Sequence, residues 1–300
     1  PYFCVVHKQD WFIKEKYMPE LQKDDMSFLS RSFERHFNER PYLKHSCYLY
    51  LTKTTKERNR MQSNFSTLCR GHIIPKELDK ETAGKFMEAA EQFERIMNDS
   101  GFVRLRRLST DEIVGTEKSA GLIERYFSLM PEGDTTLQDI DLSAKEMRIG
   151  DKRLCLHTLS DAEDMPGKVA TDIRYEKLST DRSDCRLSFA SPVGLLLSCN
   201  HIYNQYVIID NSEENLQKFE KSARNMQSLS RYSRSNSINR EWIDQYLNEA
   251  HSYGLTSVRA HFNVMAWSDD AEELKHIKND VGSQLASMEC VPRHNTIDCP

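Results

Sequence analysis

The fold is decided by residues Ser257–Met288, which read SVRAHFNVMAWSDDAEELKHIKNDVGSQLASM. Hydrophobic residues first alternate with others, as on one buried strand face: Val258, Ala260, Phe262, Val264 and Ala266. They then recur at helical spacing: Leu274, Ile277, Val281, Leu285 and Met288. The period changes at Ser268-Asp269-Asp270, where short polar side chains accept hydrogen bonds from the free amides of a helix start. The stretch therefore predicts a strand followed by a capped helix.

The other face of this strand is mixed, with Arg259, His261, Asn263 and Trp267. We expect that face to be exposed in this chain.

The N-terminal half also mixes strands and helices. Strands are predicted at 2–13 and 46–52, a short one at 102–107, and a helix from Asp25 that buries Met26, Leu29, Phe33 and Phe37. Another helix from Asp79 buries Phe86 and Phe93, and Ser109 with Glu112 fits a capping box. Residues 53–78 are read as a long polar connection, a length typical of functional loops.

The C-terminal half is predicted to hold a hairpin at 145–159, paired strands at 186–198 and 203–209, and helices from Ser212 and Asn239. Strands and helices alternate without the rhythm of a doubly wound sheet, so we predict an α+β fold with mixed or antiparallel sheets and packed helices. Ferredoxin-like units are one arrangement of that class. The turn-rich Pro131–Thr136 predicts a boundary between two sub-domains, 1–135 and 136–300.

Composition limits the classes of function. No apolar run approaches the roughly 20 residues that span a bilayer. The formal net charge of -5 argues against a dedicated nucleic-acid coat. The chain has 8 Cys with no pair at two-residue spacing, which indicates reduced thiols and a cytoplasmic location. The start at Pro1-Tyr2 favours a piece of a longer protein.

Motifs for chemistry are weak. Met165-Pro-Gly-Lys-Val169 resembles a phosphate-binding loop, but Ala162 stands where that motif has its first glycine, and Val169 where it has Ser or Thr. Four close Cys and His pairs lack a second pair at zinc spacing, and we interpret them as buried thiols and strand-end histidines: Cys4 with His7, Cys69 with His72, Cys155 with His157 and Cys199 with His201. Clustered carboxylates fit turns and helix caps, which leaves a free-standing hydrolase as a weak hypothesis.

Basic residues are the strongest signal of a binding site. Lys53, Lys56, Arg58 and Arg60 precede Phe65, and Arg231 and Arg234 flank Tyr232. Basic side chains beside aromatic rings hold single-stranded nucleic acid through phosphate contacts and stacking. Solvated loops of the same composition are common, so contact with nucleic acid or a protein partner and plain solvation remain open alternatives.

The chain as a whole resembles the TraG-type ATPase of conjugative transposons. The resemblance is carried by stretches spread over nearly its whole length: residues 7–13 (HKQDWFI), 36–41 (HFNERP), 51–58 (LTKTTKER), 93–96 (FERI), 98–102 (NDSGF), 150–160 (GDKRLCLHTLS), 175–184 (YEKLSTDRSD) and 261–270 (HFNVMAWSDD).

This resemblance implies the N-terminal α+β region of a type IV secretion conjugation ATPase, ahead of the RecA-like motor that holds the Walker motifs. Since the chain ends before those motifs, no catalytic residue, metal or cofactor site is carried over, and ATP with magnesium is expected only in the motor. The implied function is non-catalytic docking of the motor to channel components or to other subunits during DNA transfer, peripheral to the inner membrane. Contact with the transferred single strand is the alternative.

Overall fold

The computed structural model describes residues 2–16, 27–38, 41–55, 80–130, 138–143, 146–159, 164–167, 169, 172–209, 211–230 and 232–295. Helices in these ranges are α1 (Phe28–Asn38), α2 (Lys80–Asp99), α3 (Thr110–Val114), α4 (Leu122–Ser128), α5 (Ser191–Leu196), α6 (Ser212–Leu229), α7 (Arg234–Tyr253) and α8 (Ala271–Ser287). The longer strands are β1 (Tyr2–Lys16), β2 (Pro41–Thr55), β7 (Lys152–Leu159), β10 (Asn200–Ile209) and β11 (Val258–Ser268). The short strands are β3 (Gly115–Thr116), β4 (Ser119–Ala120), β5 (Ile140–Leu142), β6 (Met147–Ile149), β8 (Ile173–Arg174), β9 (Arg186–Leu187) and β12 (Arg293–Asn295).

One large sheet organises the chain, in the order β2-β1-β10-β11-β7-β6-β5, and β12 also pairs with β7. The pairs β11 with β7, β7 with β6, β6 with β5 and β12 with β7 are antiparallel. Strands β1 and β2 also run antiparallel. His7 stacks on Tyr50, whereas Phe12, which comes later in β1, stacks on His45, which comes earlier in β2. The predicted α+β class with antiparallel pairing is confirmed.

Two compact units are formed by discontinuous segments. The first contains residues 1–7, 49–106 and 206–260, and the second contains residues 8–48, 107–205 and 261–300. The predicted boundary at 131–136 lies outside the described residues, and the division at 135/136 stays a prediction.

The second unit has a core on each face of its part of the sheet. On one face, helices α8 and α5 contribute Val281, Leu285 and Val193 to a cluster with the strand residues Val264 and Ala266. The other face carries an aromatic and aliphatic cluster: Trp11, Leu129, Met147, Ile149, Leu154, Leu156, Ile202 and Trp267. Burial on both faces explains why these strands hold few exposed polar residues near their centres.

The strand and helix predicted from Ser257–Met288 are confirmed as β11 and α8. Asp270 caps the helix by accepting a hydrogen bond from the Glu272 amide at 2.9 Å. The predicted apolar helix face is buried, from Leu274 to Leu285. The prediction of an exposed mixed strand face is wrong for Asn263 and Trp267, which are buried because the opposite face of the sheet carries its own core.

Several element predictions are wrong, each for a local reason. The strand predicted at 186–198 is limited to β9 at its start, and helix α5 occupies Ser191–Leu196, with Pro192 in its first turn, where a fixed φ suits a helix. Residues 102–107 form no strand, because the backbone groups of Leu105 are already hydrogen-bonded to a side chain. The Leu105 amide donates to Asn98 Oδ1, and Asn98 Nδ2 donates to the Leu105 carbonyl. The face of α1 predicted to be buried is open, with Leu29 at 79% and Phe33 at 63% exposure. The capping box of Ser109 and Glu112 is confirmed.

Candidate interaction surface

An apolar groove lies on the helical hairpin α6–α7 in the first unit. Its volume is about 580 Å³, and its walls come from both helices and from the chain entering β11: Phe219, Met226, Asn239, Trp242, Ile243, Tyr246, Thr256, Ser257 and Val258. The rings of Phe219 and Tyr246 meet edge to face with centroids 5.3 Å apart. This contact joins the two helices at the groove.

The groove exposes side chains that the sequence predicts to be buried, Phe219 and Trp242 by helical spacing and Val258 by strand alternation. Trp242 is 65% exposed, Val258 47% and Phe219 37%. Of the described residues of this unit, the buried hydrophobic ones are Ala223, Leu247 and Ala250. Large apolar side chains left open beside a thin core are typical of contact surfaces for other proteins.

The groove is electrically neutral. Among the described residues that line it, no side chain carries a charge at neutral pH. Ion pairs on these two helices join Arg224 with Glu220, Arg240 with Asp244 and His251 with Glu220. The chemistry of the groove therefore fits an apolar segment, such as the hydrophobic face of a helix, rather than a phosphate backbone.

The predicted basic residues are not assembled in the described part of the chain. Lys56, Arg58, Arg60 and Arg231 lie outside the described residues. Lys53 belongs to β2 rather than to the polar connection, because that strand runs to Thr55. Arg234 is the first residue of α7, next to Tyr232, which is 85% exposed. A nucleic-acid site formed by these residues stays a prediction.

A cluster of Lys8, Asp10, His45 and Cys47 joins β1 to β2 in the second unit. Asp10 is buried, and it accepts hydrogen bonds from Lys8 and from Nε2 of His45, the latter at 2.9 Å. Burial alone would raise the pKa of Asp10, but the bonds from Lys8 and His45 hold it below its ordinary value.

The thiol of Cys47 is not activated by this cluster. Desolvation and the negative charge of Asp10 raise the pKa of Cys47 to about 11, although the residue as a whole is exposed. A thiol with such a pKa is protonated at neutral pH, and the thiolate is the nucleophile. The Asp, His and Cys side chains therefore connect two strands and do not form a nucleophilic centre.

His201 is a buried neutral residue. Its Nδ1 donates to the carbonyl of Cys199 at 2.9 Å, and its ring stacks on Phe12 at 4.6 Å. Burial lowers the pKa of His201 to about 4, against the opposing effect of the backbone carbonyls of Cys199 and Val193. Burial likewise raises the pKa of Cys155 to about 11 and that of Cys199 to about 12. These groups are uncharged core residues, as the sequence interpretation expects for Cys155, Cys199 and His201, whereas Cys4 is only half-buried and Cys69 with His72 lies outside the described residues.

A chain of buried amides crosses the centre of the sheet and was missed by the sequence patterns. Trp11 Nε1 donates to Gln9 Oε1 at 2.8 Å, and Gln9 Nε2 donates to Asn204 Oδ1 at 3.1 Å. Asn204 Nδ2 donates to Asn263 Oδ1 at 2.9 Å, and Asn263 Nδ2 contacts His261 Nε2 at 3.2 Å. No clear signal for these amides is present in the sequence, because each of the three strands also contains other polar residues, such as Lys8, His201 and His261.

Metal binding and known relatives give no further guide to the site. Within the described ranges, no group of three or more His, Cys, Asp or Glu is placed to hold a metal ion. None of the described helices combines the length and apolar character that crossing a membrane requires.

No protein-family model matches the chain, and no curated protein matches it significantly. The resemblance to TraG-type ATPases stays a prediction.

Proposed function

We propose that the chain is a non-catalytic docking region of a conjugative-transfer ATPase of the type IV secretion class. It links the motor to channel components, or to other subunits, at the inner membrane during DNA transfer. The observation that supports docking is the apolar groove on α6–α7, in which Trp242 is 65% exposed. The resemblance supplies the biological setting.

The occupant proposed for the groove is an amphipathic helix of a channel component. A helix presents apolar residues at i, i+3 and i+4, and such a stripe covers a neutral groove of this kind. Trp242 is the expected centre of the contact, because exposed tryptophans contribute more binding free energy than most residues.

The test is binding of the purified chain to each inner-membrane channel component of its own transfer system, presented one at a time on a biosensor. We expect Trp242→Ala to weaken capture at least about tenfold, which corresponds to about 1.4 kcal/mol. Tyr253→Ala is the matched control, since Tyr253 lies on the same helix, is 78% exposed and does not line the groove.

Equal capture by the wild-type chain and the Trp242 variant would exclude the groove as the docking site. Concentration-dependent dimers that Trp242→Ala abolishes would instead assign the groove to self-association. Contact with single-stranded DNA is the competing proposal. Salt-sensitive binding to an oligonucleotide, weakened by Lys56→Glu with Arg58→Glu and untouched by Trp242→Ala, would favour it.

A further inference from the structure

A small cavity lies between the β1–β2 edge of the sheet and helix α4 in the second unit. Its volume is about 90 Å³. One water needs roughly 10–15 Å³ on the same measure, so the space is large enough for a molecule of several heavy atoms. Trp11, Ile13 and Leu122 form its apolar wall.

The polar wall of the cavity is cationic. Arg125 and Lys44 line it, together with Ser46 and Tyr48, and none of the described lining residues is a carboxylate. Lys44 is paired with Glu15, at 3.4 Å between Nζ and Oε1, so its charge is already balanced.

The positive charge of Arg125 is not balanced in this way. Its Nε is buried and has no hydrogen-bond partner, and the described residues provide no ion pair for its guanidinium group. A guanidinium group carries five N–H donors in a planar fork that matches two oxygens of a carboxylate or phosphate. The Nε atom has almost no accessible surface, so an oxyanion in the cavity would accept from the terminal Nη groups of Arg125 and balance a charge that no described carboxylate balances.

We propose that this cavity binds a small oxyanion, held by the guanidinium fork of Arg125 with a hydroxyl of Ser46 or Tyr48 as a further donor. The apolar wall of Trp11, Ile13 and Leu122 favours a carboxylate with a short hydrocarbon chain over inorganic phosphate. This inference does not depend on the docking function, which concerns a groove in the other unit.

The test measures the melting temperature of the purified chain against acetate, butyrate, phosphate and citrate at constant ionic strength set with sodium chloride. We expect saturable stabilisation by butyrate and phosphate, with butyrate the tighter ligand. Citrate is expected to bind at least about tenfold more weakly, because it exceeds the cavity. This comparison needs no variant and is independent of whether any variant folds.

Arg125→Met is expected to abolish the stabilisation. Arg148→Met is the matched control, because Arg148 also has a buried Nε without a partner but does not line the cavity. Loss of the anion effect in the first variant and its retention in the second would support the site. The proposal is overturned if neither butyrate nor phosphate saturates, if citrate binds as well as butyrate, or if both variants respond like the wild type.

Discussion

Asn204 lies in the middle of the buried amide chain that crosses the sheet. Its amide accepts from Gln9 on β1 and donates to Asn263 on β11, and all three side chains are buried. Such a network stabilises one strand register, because a slip by one residue would separate every donor from its acceptor.

Asn204→Leu is expected to destabilise the protein strongly. The change removes one acceptor and one donor from buried partners, and each loss costs about 1–3 kcal/mol. Urea unfolding monitored by Trp fluorescence measures the difference, and Asn248→Leu, on the exposed side of α7, serves as the control. A cost below about 0.5 kcal/mol for Asn204→Leu would show that the amide chain contributes little.

His201 predicts a pH dependence of stability. Its pKa is about 4 in the folded protein against an ordinary 6.5, so the unfolded chain binds the proton more tightly. The stabilisation is therefore complete above pH 6.5 and is lost as the pH falls from 6.5 towards 4. The difference corresponds to about 3 kcal/mol for a fully developed shift.

His201→Phe keeps an aromatic ring beside Phe12 and removes the titrating group. We expect the free energy of unfolding of this variant to fall less between pH 7 and pH 5 than that of the wild type. The charges of Asp10 and His45 also affect His201, so the control variant must leave them in place. His251→Gln does so, because it removes an exposed histidine elsewhere in the chain. An identical pH profile for wild type and His201→Phe would contradict the buried neutral histidine.

Helix α8 packs on the core of one face of the sheet in the second unit. Leu274, Ile277, Val281 and Leu285 are buried along one side of it. Leu285→Ala is expected to cost about 2–5 kcal/mol, because truncation leaves a cavity in a packed cluster. Leu229→Ala, at a leucine that is 49% exposed at the end of α6, should cost well under half of that. Similar losses for both variants in denaturant titrations would mean that α8 is loosely packed.

The elements differ in how far their sequences predict them. In α8, the apolar spacing, the cap at Asp270 and the buried face all follow from the sequence, because the local signals and the tertiary packing agree. In α5, Pro192-Val-Gly-Leu-Leu196 matches a buried strand as well as a short buried helix, and periodicity cannot separate the two. The groove at Trp242 could not be predicted either, since helical spacing identifies an apolar face but not what covers it.

For the whole molecule, the TraG resemblance gives a prediction about nucleotides. Purified chain should show no saturable change in melting temperature with Mg-ATP, because the sequence lacks the first glycine and the Ser or Thr of a phosphate-binding loop around Met165–Val169. Inorganic phosphate must be absent from the buffer, since the Arg125 cavity is proposed to bind it. A saturable effect at micromolar ATP would contradict the prediction and would favour a nucleotide-binding enzyme instead.

The order of strands in the large sheet has a consequence for how the chain folds as it is made. Strand β1 lies between β2 and β10, and the Gln9–Asn204 contact joins residues 195 positions apart. At about 5–20 residues per second, a ribosome needs about 10–40 s to extend the chain by that length. During that interval one edge of β1 has no native neighbour, and open strand edges pair readily with other chains. Strand β1, paired with β2 but not yet with β10, is therefore the part of the nascent chain that most needs a chaperone.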